Sequence, residues 1–233
     1  MPTHGLVLTA AGSSTRFGGT TSKVLLDLGG IPVLVRAARA FREALGTTPT
    51  VVTARAEDLE ALEALTRRER ALHGAVVVEG GPSRQASVAI GLSALPAGID
   101  VVLVHDAARP FVTPALVRAV AEAAWRDGAA APALPLSDSV HRCADGVFLE
   151  AVPRESLRSV QTPQAARADL LRRAHADAAT TGRVATDEVG LLLASGARVT
   201  AVPGDPGNVK ITTPDDLERA RARLSWTAGG GAA

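Results

Sequence analysis

The lysines of this sequence are the first candidates for chemistry. Of its 25 Lys and Arg residues only two are lysines, Lys23 and Lys210. A lysine is a compact point charge that the flat guanidinium fork of arginine does not replace. In a chain that uses arginine almost everywhere else, both lysines are therefore candidates for a site that needs a point charge. Chance survival in an arginine-biased composition explains them equally well on composition alone.

A glycine-rich stretch, TAAGSSTRFGGTTSK, follows the first apolar run of the chain. In such a turn the backbone N–H groups of Ala10, Ala11 and Gly12 can approach phosphate oxygens, and Arg16 and Lys23 add positive charge. This order of residues predicts a triphosphate site with Arg16 and Lys23 as catalytic cations. An ordinary connection between a strand and a helix would explain the glycines alone.

A second group of polar residues, HDAARP, ends another apolar run. Asp106 and Arg109 would stand at the carboxyl end of a buried strand, where open α/β sheets place their ligands. Asp106 could orient a nucleotide with its metal or hold a substrate hydroxyl group, and Arg109 could pair with phosphate. A structural ion pair at the strand end is the alternative. His105 is expected to pack or orient, because the chemistry does not require it.

Alternating strand and helix patterns would position these residues. Apolar runs predict strands buried on both faces at 6–10, 50–54, 75–79, 101–105 and 131–135. Amphipathic segments predict helices at 31–45, 57–72, 83–95 and 113–128, the last with Thr113 as N-cap and Pro114 in its first turn. Later segments predict helices at 166–178, 186–193 and after Pro214, and a strand at 198–202. We expect an α/β, Rossmann-like three-layer sandwich with a mostly parallel mixed sheet.

The alternation breaks after Pro135. Residues 139–152 have period-two character on both sides of Asp145-Gly146, which predicts a tight hairpin turn. Because an isolated two-stranded hairpin is marginal in water, we expect an arm at about 136–156 that packs on a second copy of the chain in a homodimer. The remaining residues predict one domain over 1–226 and a flexible tail at 227–233.

Several motifs resemble those of known families. The first loop is similar to the signature loop of the sugar-phosphate nucleotidyltransferase superfamily, and V-H-D-A-A-R-P resembles the 2-C-methyl-D-erythritol 4-phosphate cytidylyltransferase family. EGGPSRQASV resembles that family's loop over cytosine and ribose, although Pro82 stands where some relatives carry an acidic residue. The resemblance covers nearly the whole chain, and it implies roles for further residues. It places Ala10, Ala11, Gly12, Gly81, Arg84, Ser87 and Asp106 at the nucleotide, and Asp106, Arg109, Ser139, Arg154, Thr162, Thr186 and Lys210 at the acceptor substrate.

The resemblance implies that CTP and a polyol phosphate react in a step of non-mevalonate isoprenoid precursor synthesis. Arg154 and Lys210 would hold the acceptor phosphate, and Mg²⁺ would arrive with CTP, so no protein metal ligand is expected. A ribitol 5-phosphate cytidylyltransferase would share most of these motifs. A non-catalytic nucleotide-binding module would have no need of the transition-state cations. A Rossmann dehydrogenase would need a dinucleotide fingerprint that the sequence lacks.

Composition excludes other classes of function. A net charge of +1 without runs of like charge is untypical of nucleic-acid binders. No stretch approaches the roughly 20 apolar residues of a membrane span. The single cysteine, Cys143, cannot form an internal disulfide, and the first residues lack a leader pattern. These features predict a cytoplasmic protein without a nucleic-acid or membrane partner.

Overall fold

The computed structural model describes residues 1–12, 17 and 22–229 of the chain. Its strands are β1 (His4–Thr9), β2 (Thr50–Ala54), β3 (Val76–Glu79), β4 (Val101–Asp106), β5 (Ala129–Pro135), β6 (Val140–Ala144), β7 (Val147–Val152), β8 (Arg158–Val160), β9 (Gln164–Arg167) and β10 (Thr200–Pro203). Its helices are α1 (Val33–Leu45), α2 (Leu59–Arg68), α3 (Arg84–Ala94), α4 (Pro114–Asp127), α5 (Ala168–Thr181), α6 (Glu188–Ala194) and α7 (Pro214–Gly229). Within the described residues, no helix has both the length and the apolar character to cross a membrane.

A mixed sheet forms the middle layer. Its strands follow the order β10-β5-β9-β4-β1-β2-β3, and β8 pairs with β5. Strands β1 to β4, and the pair β5 and β10, run parallel to their neighbours of that set, whereas β9 is antiparallel to β4 and β5. The mostly parallel mixed sheet predicted from sequence is thus confirmed.

Helices cover both faces of the sheet. Successive side chains of a strand point to opposite faces, so apolar side chains on both faces need a layer of helices on each side. In β1, Leu6 and Leu8 pack with α1, α2 and α4, whereas Val7, between them, packs with α3, α5 and α6. Helix α4 begins as predicted, because the Thr113 hydroxyl accepts from the Leu116 N–H and Pro114 occupies the first turn. The three-layer arrangement brings the carboxyl ends of β1, β2 and β4 to one edge.

Three expectations from the sequence differ from the structure. Strand β3 is not buried on both faces, because it lies at the edge of the sheet, where Val76 is half exposed. Strands β8 and β9 were not predicted, because runs of three and four residues carry no clear period. Helix α7 continues to Gly229, beyond the predicted domain end at 226, and residues 230–233 of the predicted tail lie outside the described residues.

The predicted hairpin is present as β6 and β7. Asp145 and Gly146 connect the strands with φ angles of 50° and 79°, the pair of positive values that a two-residue turn of this type uses. Its apolar side chains are exposed in the single chain: Val147 to 62%, Phe148 to 76% and Leu149 to 63%. The hairpin therefore leaves an apolar surface that its own chain does not cover.

Candidate functional site

A crevice of about 380 Å³ opens at the carboxyl ends of β1 and β4. The residues that line it are Thr9, Ala10, Ala11, Gly12, Ser22, Lys23, Val24, Gly81, Pro82, Ser83, Arg84, Ser87, Asp106, Ala108, Lys210 and Thr212. The structure thus brings together three predicted segments and both lysines, which are far apart in the sequence. Arg16 lies outside the described residues.

Two glycines allow close packing of the loop before α3, Gly80 against the residue Ala11 after β1 and Gly81 against α3 itself. A Cβ atom on Gly80 would lie 2.5 Å from the Cβ of Ala11, and one on Gly81 would lie 2.5 Å from the Cβ of Ala86. Neither position has room for a side chain, so the backbone itself forms the wall of the crevice. Gly81 was predicted as a site residue, and the same sequence signal, a Gly-Gly pair after a strand, applies to Gly80.

The first turn of α3 is held by hydroxyl groups. The Ser83 side chain caps the helix by accepting from the N–H of Ala86 at 3.1 Å. The Ser87 hydroxyl donates to the carbonyl of Ser83 at 2.9 Å and accepts from the N–H of Gly81 at 3.1 Å. Hydrogen bonds of Ser83 and Ser87 therefore hold the predicted nucleotide loop against the first turn of α3.

Asp106 is the centre of the crevice's charges. Its carboxylate lies 2.7 Å from Lys210 Nζ and 3.1 Å from Arg84 Nε, and the Thr9 hydroxyl donates to it at 3.3 Å. Burial acts to raise the pKa of Asp106, but Arg84 and Lys210 outweigh it and hold that pKa well below the usual value. Asp106 is thus a fixed anion that positions two cations.

Arg84 is shared between two carboxylates. Its Nη1 donates to Glu188 Oε1 at 3.0 Å, while its Nε donates to Asp106. Although burial lowers the pKa of Arg84, Glu188 and Asp106 raise it above its ordinary value. Burial raises the pKa of Glu188, and the Arg84 guanidinium opposes that shift. Sequence reasoning missed Glu188, because a glutamate on a short helix suggests a solvated face until its partner is placed.

Arg109 lies behind the crevice and does not line it. Its side chain is 14% exposed, its Nη1 donates to the Asn208 carbonyl at 2.8 Å, and its Nε lies 3.7 Å from Asp106 Oδ2. Burial lowers its pKa, and Asp106 opposes the shift. Arg109 thus occupies the position of the structural ion pair considered as an alternative, and its predicted contact with substrate stays a prediction.

Thr162 and His105 form a buried support under Asp106. The Thr162 hydroxyl accepts from the Asp106 N–H at 3.1 Å and lies 3.0 Å from His105 Nδ1. His105 is fully buried, its ring packs against Phe41, and burial lowers its pKa to about 4, so it is neutral at pH 7. The packing or orienting role expected for His105 matches this position. Thr162 does not line the crevice in the single chain.

Besides Arg109 and Thr162, three further predicted acceptor residues lie outside the crevice. Arg154 and Ser139 are exposed at the two ends of the hairpin arm, where Arg154 donates to the carbonyl of Ser137. Thr186 is exposed just before α6, two residues from Glu188. Within the described residues, no cluster of three or more His, Cys, Asp or Glu side chains could hold a metal ion. In the single chain, the predicted acceptor residues that line the crevice are therefore Asp106 and Lys210.

Comparisons with known proteins agree with this arrangement. Residues 5–225 match the model of the family described as IspD, 2-C-methyl-D-erythritol 4-phosphate cytidylyltransferase. The chain is 40% identical to a protein of that name from Acidobacterium capsulatum, over 92% of this chain and 94% of the relative. It is 47% identical to a bifunctional enzyme IspD/IspF from Anaeromyxobacter sp. (strain Fw109-5), over 94% of this chain and 56% of that longer relative.

A solved structure is similar along the whole chain. It is the crystal structure of 2-C-methyl-D-erythritol 4-phosphate cytidylyltransferase from Thermus thermophilus, with 39% identity and a TM-score of 0.79. The match covers 97% of this chain and 100% of that one. Sequence and backbone therefore point to the same family.

Proposed function

The chain belongs to the 2-C-methyl-D-erythritol 4-phosphate cytidylyltransferase family, and from this premise we propose how its own residues carry the reaction. The enzyme joins CTP to 2-C-methyl-D-erythritol 4-phosphate, a step of isoprenoid precursor synthesis. An oxygen of the acceptor phosphate forms a bond to the α-phosphorus of CTP. The bond from that phosphorus to the bridging oxygen breaks, and pyrophosphate leaves with its electron pair. The other product is 4-diphosphocytidyl-2-C-methyl-D-erythritol.

One observation carries the proposal: Lys23 and Lys210 line the same crevice as Asp106. A phosphate monoester has its second pKa near 6, so the nucleophile is already largely a dianion at neutral pH. The reaction then needs no general base. What it needs is fixed positive charge that brings two anions together and stabilises the transition state, and the crevice provides that charge.

The roles are divided by position in the crevice. Arg16 and Lys23 act on the triphosphate as it passes through the transition state, and the Ala11 backbone N–H is directed at its oxygens, with Ala10 and Gly12 lining the crevice beside it. The Ala10 N–H itself donates to the Thr53 carbonyl at 2.8 Å, so the phosphate contact expected of it from the sequence is wrong. Gly81, Arg84 and Ser87 shape the wall for cytidine. Lys210, 2.7 Å from Asp106 and 37% exposed, holds the acceptor phosphate together with Arg154. Asp106, Arg109, Ser139, Thr162 and Thr186 orient the acceptor.

Magnesium enters this scheme with the nucleotide. Mg²⁺ typically binds substrate phosphates and one or two carboxylates and keeps several waters. Asp106 is the carboxylate that lines the described crevice, which suits an ion held mainly by phosphate. Bound there, the ion would neutralise charge on the triphosphate. The contribution of the chain itself is to keep Asp106 ionised beside Lys210.

The hairpin arm supports a homodimer. Its exposed Val147, Phe148 and Leu149 form an apolar surface that a second copy can cover, and a two-fold pair that exchanges arms closes the assembly. Arg154 follows the arm and would then reach the partner's crevice. This arrangement explains why the proposed acceptor arginine lies away from Lys210 in the single chain.

Pyrophosphate release tests the function. Purified enzyme with Mg²⁺ is given CTP or UTP and either 2-C-methyl-D-erythritol 4-phosphate or ribitol 5-phosphate. We expect turnover with CTP and the methylerythritol substrate, and much lower rates in the other combinations. Equal use of UTP would contradict the cytosine preference, and faster turnover of ribitol 5-phosphate would favour that alternative acceptor. A cytoplasmic location stays a prediction, which cell fractionation would test.

A further inference from the structure

Two consecutive residues of α3 hold the segment that carries Thr186. The Gln85 Nε2 donates to the carbonyl of Arg183 at 3.0 Å, and the Gln85 Oε1 accepts from the N–H of Ala185 at 2.8 Å. An amide side chain offers a donor and an acceptor at its end, and here both are used on backbone groups. Gln85 therefore fixes the backbone on the N-terminal side of Thr186.

Arg84 fixes the opposite side of the same segment. Its guanidinium contacts Glu188 at 3.0 Å and 2.9 Å, and the Glu188 side chain is only 3% exposed. Glu188 belongs to the first turn of α6, directly after the helix-capping residue Asp187. The bonds from Arg84 and Gln85 thus enclose the short stretch around Thr186 between two points on one helix end.

The same turn of α3 forms a wall of the nucleotide crevice. Ser83, Arg84 and Ser87 line the crevice, whereas Gln85 points to the 183–185 backbone. Residues within one helical turn move together, because backbone hydrogen bonds link them. A shift of this turn when a nucleotide binds is therefore passed to residues 183–188 through Gln85 and Arg84.

We infer that Gln85 is a positioning residue that couples the nucleotide site to the acceptor site. Gln85 does not touch the nucleotide; it sets the place of Thr186 according to the place of the α3 turn. Binding of CTP then improves binding of the acceptor, and by linkage the acceptor improves binding of CTP by the same factor. The inference rests on the proposed function in one respect, the assignment of Thr186 to the acceptor.

The test compares acceptor affinity with and without nucleotide. The nucleotide is a CTP analogue with a methylene group in place of its α,β-bridging oxygen, so no reaction occurs. In wild-type enzyme we expect the analogue to strengthen acceptor binding by about tenfold. In Gln85→Met, which keeps the side-chain length but loses both hydrogen bonds, the factor should fall to about twofold, because the Arg84 contact to Glu188 remains. Ser93→Ala, which removes a hydrogen bond elsewhere on α3, should keep the wild-type factor.

Hydrogen exchange of residues 183–189 supplies a second readout. The analogue should slow exchange there in wild-type enzyme and in Ser93→Ala, and slow it clearly less in Gln85→Met. If Gln85→Met melts early, Gln85→Glu replaces it, since a carboxylate retains the bond from Ala185 and should give an intermediate factor. Unchanged coupling and unchanged protection in a folded Gln85 variant would overturn the inference.

The measurements distinguish an error in the proposed function from an error in the proposed coupling. The exchange measurement needs only nucleotide binding and no turnover. An enzyme that protects residues 183–189 with the analogue but releases no pyrophosphate would refute the proposed reaction and leave the coupling in place. An active enzyme without that protection would refute the coupling alone.

Discussion

The crevice and the hairpin arm differ in how their residues are held in place. In the crevice, Asp106 is buried and its neighbours Arg84 and Lys210 lie within about 3 Å of it, so one chain determines where each charge stands. In the arm, Phe148 is 76% exposed and Arg154 contacts a neighbouring backbone carbonyl. The proposed nucleotide half of the site is therefore organised within a chain, whereas the proposed acceptor half would depend on an arm that its own chain leaves uncovered.

The two cations beside Asp106 also differ in how far their positive charge is compensated by carboxylates. Arg84 is held between Asp106 and Glu188, so its charge is already compensated and organises the crevice. Lys210 has only Asp106 as its ion-pair partner among the described residues, and it remains 37% exposed. A cation of this kind can turn toward a phosphate without leaving its carboxylate. We therefore expect catalytic effects to be largest at Lys210.

Lys210→Ala should produce the largest loss. Removing a preorganised charge at the transition state costs about a hundredfold to a thousandfold in turnover. We expect the upper end of that range in a protein that still folds, with a modestly lower melting temperature, because Asp106 loses one cation but keeps Arg84. Lys210→Arg should stay at least about tenfold below wild type, since the planar fork does not replace a point charge. Normal turnover in Lys210→Ala would show that the crevice does not hold the acceptor phosphate.

Arg16→Ala and Lys23→Ala should each lower turnover by about a hundredfold, by analogy with loss of one oxyanion donor. We propose that both act on the triphosphate, so the loss should appear in kcat more than in protein stability. Steady-state rates and melting curves give the comparison. Arg219→Ala, at an exposed position of α7, is the control and should behave as wild type. A folded variant that retains its rate would remove that residue from the catalytic set.

Phe148→Ser should affect activity through assembly. Losing the most exposed aromatic side chain of the arm weakens the dimer, so we expect about tenfold lower activity at low protein concentration and recovery at high concentration. Leu193→Ser, an exposed apolar position outside the arm, is the matched control. Sedimentation together with activity, each measured against concentration, tests this. If both variants dimerised equally well, the proposed role of the arm in dimer formation would be wrong.

The pH dependence should be the smallest effect. The pKa of Asp106 lies well below its ordinary value, so Asp106 stays ionised from pH 5 to pH 8, and its stabilising contribution is lost only in strong acid. The acceptor phosphate titrates near pH 6, so kcat/KM for the acceptor should fall by about half between pH 8 and pH 6. A plateau that continues to pH 5 would mean that the monoanion reacts equally well.

Much of this fold could be predicted from local patterns. The parallel strands and the hairpin turn at Asp145-Gly146 have distinct periodicity and turn chemistry. Strand β9 could not be predicted, because QAAR has no strand pattern, and its place between β4 and β5 depends on contacts distant in sequence. Burial at the sheet edge also depends on strand order, which explains the error on β3.

The candidate site divides in the same way. Lys23, Lys210 and Asp106 could be found because their types and neighbours are informative on their own. Glu188 and Gln85 could not, because each acts on a partner about a hundred residues away in the sequence. Arg109 is the opposite case. Its residue type suggests a contact with phosphate, but it is buried beside Asp106 and Asn208, which are its structural partners.

We propose that each active site combines the crevice of one chain with the arm of its partner. Arg154→Ala and Lys210→Ala subunits, each nearly inactive alone, are mixed and allowed to exchange. Random two-fold pairing makes half of the dimers mixed, and half of the sites in those dimers hold both residues intact. About a quarter of wild-type activity should therefore return. No recovery, with exchange confirmed by mass spectrometry, would contradict the shared site.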